Sequence, residues 1–109
     1  MYVAIRQYGL LTREPIEQVL QGIREGFIPI IKNVPGFLAY YALDSGGGTL
    51  TSISIFEHRA GAERSNKLAE DWVGRTLSSA LPTSPEIIVG EVGAHELNLT
   101  KLGLREATG

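Results

Sequence analysis

Few side chains in this sequence are equipped for chemistry. Arg6 and Tyr8 stand two apart near the start, Tyr40, Ser52, Ser54 and Phe56 fall in two central segments, and Glu91 and His95 lie near the end. A guanidinium is charged at any physiological pH and carries five N–H donors, so Arg6 is suited to clamp an anion. Tyr8, Tyr40, Ser52 and Ser54 add hydroxyls, and Phe56 with Tyr40 supplies an apolar wall. Glu91 is a potential ion-pair partner for Arg6. His95 could serve as a base, as a histidine imidazole often does. His58, between Glu57 and Arg59, reads first as a cap or surface group. The two histidines have no close ligand spacing and the chain has no cysteine, so neither a metal site nor a thiolate nucleophile is predicted. Gly46 to Gly48 resemble a phosphate loop in composition, but no Lys-Ser/Thr follows; they read as a hairpin turn.

The totals narrow the classes. With 109 residues, 43% hydrophobic and 20% charged, the chain is long enough for one globular domain with one core. A net charge of −2, with Arg13, Arg24, Arg59, Arg64 and Arg75 scattered among acids, argues against nucleic acid. The N-terminal "MYVAIRQYG" is no signal peptide, and no apolar run reaches membrane-spanning length. A cysteine-free chain of this kind is expected in the cytoplasm.

The candidate residues must be positioned by regular elements. Alternation predicts a strand over 2–8, with Val3 and Ile5 on one face and Arg6 and Tyr8 on the other. Ile16, Val19, Leu20, Ile23, Phe27, Ile30 and Ile31 keep a helical period. Thr12 or Glu14 caps that helix, Pro15 suits its first turn, and Pro29 should kink or tighten its last. "NVPG" ends it, and strands follow over 37–43 and 50–56. A second helix runs from about 60 to 77, with Ala62, Ala69, Trp72, Val73, Thr76 and Leu77 as its dry stripe and Glu63 placed to pair with Lys67. "EIIVGEVGAHE" is the fourth strand. Residues 1–96 form the domain and 97–109 a tail, packed through Leu97, Leu99, Leu102 and Leu104.

Strand, helix, strand, strand, helix, strand implies an α+β, ferredoxin-like βαββαβ domain with a four-stranded antiparallel sheet and both helices on one face. Neither face of "FLAYYAL" is polar: Phe37, Ala39, Tyr41 and Leu43 make one, Leu38, Tyr40 and Ala42 the other. Tyr2, Ala4, Tyr8, Phe56, Ile87 and Val89 extend an apolar second face across the sheet. Such a face needs a cover. The simplest is a second copy, giving a homodimer whose sheets close into a barrel about a two-fold axis.

The order of elements, "VPGFLAYYALDSGGGTLTSISIFEHRAGAERSNKLAEDWV" and the closing "EVGAHE" resemble the antibiotic-biosynthesis-monooxygenase-like group of the dimeric α+β barrel superfamily. The resemblance implies a ligand pocket in each subunit between the concave sheet face and a helix. Arg6, Tyr8, Tyr40, Ser52, Ser54, Phe56, Glu91 and His95 are the candidates for that pocket. Haem-degrading members place an asparagine on the first strand, where this chain has Arg6 and Tyr8. Its third strand ends in Phe56 rather than tryptophan, and Asn66 stands where many members carry a helix histidine. No haem or other cofactor is therefore expected. The implied activity is cofactor-independent monooxygenation of a small aromatic or phenolic metabolite. The alternative is a non-enzymatic, stress-associated or ligand-binding dimer with the same pocket.

Overall fold

The computed structural model describes residues 1–10 and 15–103. Thr12, Glu14 and Leu104, to which sequence reasoning assigned capping and packing roles, lie outside the described residues. Strand β1 (Tyr2–Gly9) leads to a helical rod in three pieces: α1 (Ile16–Gly22), a π-helical turn (Ile23–Phe27) and α2 (Ile28–Ile31). Strands β2 (Phe37–Gly46) and β3 (Thr49–Phe56) form a hairpin, followed by helix α3 (Arg59–Thr76) and β4 (Glu86–Glu91). The sheet order is β2-β3-β1-β4 and every neighbour is antiparallel. This is the ferredoxin-like α+β arrangement. Among the described residues, no helix is long and apolar enough to cross a membrane.

Val19, Ile23, Phe27 and Ile31 form the buried stripe of the first rod, each four residues after the last. Proline was expected to kink or tighten the end of this rod. The structure instead widens the turn before it. Pro29 has no N–H for the Glu25 carbonyl, and the ladder shifts to π spacing over Ile23–Phe27. The wider turn lets Gly26 lie against Trp72: a Cβ there would sit 2.8 Å from the indole Cζ2. The rod stops where Asn33 Nδ2 donates to the Pro29 carbonyl at 2.8 Å and Gly36 adopts a φ of 82°. In the hairpin, Gly47 and Gly48 both take positive φ, as a two-residue primed turn requires.

Helix α3 buries Gly61, Ala62, Ser65, Ala69 and Trp72. Glu63 does not serve Lys67; its carboxylate accepts from Arg59 Nε at 2.8 Å, one turn earlier. Gly61 is the point of closest approach to the sheet, since a Cβ there would meet the Phe56 ring at 2.6 Å. Phe56 is completely buried. Gly61→Ala must push that ring off its seat. Overpacking of this kind costs about 1–3 kcal/mol. The expected result is a lower urea midpoint with an unchanged slope; an unchanged midpoint would show that the helix simply slides.

The two sheet faces require a correction. Tyr2, Ala4, Tyr8, Phe56, Ile87 and Val89 were assigned to the uncovered face, yet Ala4, Tyr8 and Phe56 are buried beneath the helices and Ile87 pairs with Arg6 on that same side. The register places Phe56 beside Tyr2 and Val89 beside Ala4 on that covered side. A register shift between Phe37 and Ala39 also moves Phe37 to the helix side with Tyr40 and leaves Leu38 exposed. The open face is mostly aliphatic, with Tyr41 at its β2 edge. Tyr41, Ile53, Ile5 and Ile88 form one row across all four strands, and Ala39, Ile55, Val3 and Gly90 form the next. Tyr41 is 54% exposed and Ile88 65%.

Strand β4 ends at Glu91, five residues earlier than "EIIVGEVGAHE" suggests. One further bond, Val92 N–H to the Met1 carbonyl at 2.8 Å, extends the pairing. Beyond it the chain leaves the sheet, with Leu97, Leu99 and Leu102 exposed rather than packed.

Candidate functional site

Alternation on β1 directs Arg6 toward the helices, and the sheet covers it so completely that it has no exposed surface. On one side, Nη2 donates to Ser52 Oγ at 2.9 Å and Ser54 Oγ at 2.6 Å, both on β3. On the other, Nη1 donates to Ser65 Oγ at 3.1 Å and Asn66 Oδ1 at 2.8 Å, both on α3. Nε has no partner. Four neutral oxygens surround the cation, and none of its hydrogen-bond partners among the described residues is a carboxylate. Burial lowers the guanidinium pKa from its ordinary value, partly opposed by the nearby Tyr40 and Tyr8 phenols. Desolvating such an ion costs several kcal/mol. Neutral acceptors offset only part of that cost, so an anion beside this charge would be strongly favoured.

Two phenols flank the charge. Tyr40 OH lies 2.8 Å from Ser52 Oγ. Burial raises the pKa of both Tyr8 and Tyr40, with Arg6 opposing the shift in each case. Below the usual phenol value of 10.0, each tyrosine is protonated in the folded and unfolded chain, and its contribution to stability is fully present. Above it the unfolded chain ionises first, and stability is lost as pH rises toward the raised folded values. Arg6 acts in the opposite sense, because its value is lowered by burial and the folded chain releases that proton first. Tyr8→Phe with Tyr40→Phe is expected to flatten this alkaline loss in denaturant titrations; an unaltered slope would place the phenols outside it.

Next to Ser52 and Tyr40 is a small cavity of ≈ 10 Å³, bounded by Tyr8, Phe27 and Trp72 among others. It holds about one water. Phe27 packs on Tyr40 and on Trp72 with ring centroids 5.5 Å apart in both pairs, which seals the helix side. Two surface pockets adjoin it. One of ≈ 150 Å³ shares Tyr8, Val73 and Leu81 with the cavity and opens along Pro82 to Pro85. The other, of ≈ 120 Å³, shares Ile23 and Tyr40 and opens beside Arg24.

Five of the eight sequence candidates therefore converge: Arg6, Tyr8, Tyr40, Ser52 and Ser54. Three do not. The expected Arg6–Glu91 pair is not formed, because Arg6 lies opposite Ile87 whereas Glu91 lies opposite Tyr2 at the far end of the ladder, exposed. Phe56 is no wall of this cavity; it packs on Phe37, with ring centroids 5.8 Å apart, and on Gly61. His95 sits in the exposed tail, beside a separate open hollow formed with Glu96, Leu97 and Leu99. His58 precedes α3 without a side-chain capping bond, as an exposed group 3.9 Å from Glu57. Among the described residues, no three His, Cys, Asp or Glu side chains cluster. Ser65 was missed, although its position is legible. Residues 62, 65, 69 and 72 follow the helical stripe, so a serine at 65 is a polar group inserted into a dry face.

No sequence-family model and no curated protein matches the chain. Solved structures do. A protein of unknown function from Nitrosomonas europaea superposes with a TM-score of 0.70 at 19% identity, covering 89% of this chain and 93% of its own. A monooxygenase from the gene ActVA-Orf6 of Streptomyces coelicolor, in complex with Nanaomycin D, gives 0.68 at 18% identity, covering 89% and 91%. A third structure, an antibiotic biosynthesis monooxygenase, gives 0.61 at 18% identity, covering 86% and 100%. With its helices on one sheet face, its β2-β3-β1-β4 order and this match over most of each chain, the protein has the α+β, ferredoxin-like fold of the antibiotic-biosynthesis-monooxygenase-like proteins.

Proposed function

We propose that the protein is a cofactor-independent monooxygenase that binds a small phenolic metabolite as its anion and works as a cytoplasmic homodimer. The observation that carries this reading is the buried Arg6 charge, held by four neutral oxygens with Nε unpaired. A phenol bound near it ionises more readily, losing its proton to solvent without a dedicated base. The electron-rich anion then reduces dioxygen directly in a dry pocket. One oxygen atom joins a ring carbon and becomes the second quinone carbonyl. The other leaves as water with the two hydrogens lost from the ring carbon and the phenol. A monooxygenase among the structural neighbours, holding Nanaomycin D, supports the assignment of reaction type.

A second reading, a ligand-binding protein without turnover, is favoured by the cation's shell: serine hydroxyls and an amide hold an anion but neither activates oxygen nor removes protons. Oxygen uptake with a panel of hydroquinones and phenols separates the two. The monooxygenase consumes one dioxygen per quinone formed and loses that activity with Arg6→Met. Saturable binding with no uptake across the panel would establish the second reading.

The dimer forms through the open aliphatic face. Its rows of Tyr41, Ile53, Ile5, Ile88 and Ala39, Ile55, Val3 carry no charge, and none of the described helices covers them. A second copy supplies a self-complementary cover of the same chemistry about a two-fold axis.

A further inference from the structure

The hydrogens around Ser52 can be counted. Ser52 Oγ is buried and receives an N–H from Arg6 at 2.9 Å. Its other contact is Tyr40 OH at 2.8 Å. If Tyr40 donated to Ser52, the serine would accept two bonds and its own proton would have no acceptor, an unfavourable state for a buried hydroxyl. If Ser52 donates, both contacts are satisfied and the chain runs one way, from Arg6 N–H to Ser52 and from Ser52 O–H to the Tyr40 oxygen. The Tyr40 proton is then left free. Tyr40 lines both the small cavity and the ≈ 120 Å³ surface pocket, the space in which a ligand oxygen can meet it.

We propose that Tyr40 is the hydrogen-bond donor that receives the ligand's oxyanion, and that Ser52 is a positioning residue that orients Tyr40 and transmits the Arg6 charge to it. This rests on the anion-site reading above. A donor whose oxygen already accepts from a cation-polarised hydroxyl gives up more of its proton, so successive bonds strengthen one another. Burial keeps Tyr40 protonated, which the role demands. The charged and titratable groups facing this chain are Arg6 and Tyr8 from β1, Glu70 of α3 acting on Tyr8, and Arg24, which lines the surface pocket beside Tyr40 and adds a second positive charge there. Among the described residues, Arg6 is the one of these that donates to Ser52. The ligand class that follows has one oxygen, phenolate or enolate, aimed at Tyr40 and an apolar ring against Leu20, Ile23 and Ile28, which line the surface pocket.

The test uses para-nitrophenol, whose visible absorption reports its own ionisation, with binding read from Trp72, the one tryptophan of the chain. Tyr40→Phe should weaken the bound anion about tenfold and raise the apparent pKa of the bound probe. Ser52→Ala should shift both readouts in the same direction by a smaller factor, and Ser52→Thr, which keeps the hydroxyl, should restore them. The double variant should bind no more weakly than Tyr40→Phe alone, since the two side chains act in series. Additive losses, or a Ser52→Ala variant that leaves the probe's ionisation unmoved, would overturn the relay. If Arg6→Met abolishes binding while Ser52→Ala and Tyr40→Phe do not affect it, the anion site stands and the relay is wrong. If the wild type does not bind the probe, or no variant alters binding, both are wrong. Tyr40→Phe preserves shape and Ser52→Thr adds one methyl beside the small cavity, so a folding defect in Ser52→Ala leaves the Tyr40→Phe outcome readable.

Discussion

Ile53→Asp should convert a micromolar dimer into a monomer in sedimentation velocity, with the fold retained by circular dichroism. Ile53 lies on β3, inside the sheet, with Tyr41 of β2 on one side and Ile5 of β1 on the other. Its side chain points away from both helical layers, so in a single subunit the new carboxylate stays hydrated. In the dimer it would be desolvated against the partner's aliphatic rows. An unpaired charge in that position costs about 3–5 kcal/mol, which raises the dissociation constant by about a thousandfold. The interface should bury at least the ~1,600 Å² of a standard complex. Tyr40→Asp is the contrasting variant, because Tyr40 faces the helices and its substitution should damage the fold and site rather than association. A wild type that sediments as a monomer would remove the dimer, and with it the explanation of the open face.

Arg6→Met should weaken an aromatic anion such as benzoate by about tenfold or more, since the anion loses the one opposite charge buried beside its site. Benzamide, neutral and nearly the same shape, should lose much less. Arg6→Lys should fall between them: it keeps the charge but lacks the planar fork that reaches Ser52 and Ser54 on one side and Ser65 and Asn66 on the other. The contrast between the two ligands is the informative quantity. If both lose affinity equally, Arg6 only supports the packing of β3 against α3, and the anion site must be sought elsewhere. Should Arg6→Met not fold, Arg6→Lys with the same ligand pair answers the question.

Periodicity alone determined the element order and hence the fold. The two-residue alternation of β1 and the helical stripe of residues 16–31 are local consequences of backbone geometry, and each pairs with one kind of element. The same alternation put Arg6 and Tyr8 on one face, and the polar pair Ser52 and Ser54 on one face of β3. What alternation does not carry is which face meets the helices. Both faces of this sheet are apolar, so the hydrophobic pattern leaves the choice open, and the aliphatic side with Ile5, Ile53 and Ile88 turned out to be the uncovered one. The register shift after Phe37 is equally silent in sequence, because one extra residue on an edge strand costs little and leaves no compositional mark. Arg6 shows the limit most clearly. Its strand neighbourhood suggested Glu91, the carboxylate expected on an adjacent strand, but the antiparallel register slid Glu91 to the other end and brought Ser65 and Asn66 across from α3, about sixty residues away in sequence. Local pattern settles which residues share a face. Only the packing of one layer on the other decides what a buried charge will meet, because that contact is made by groups whose separation along the chain bears no relation to their distance in space.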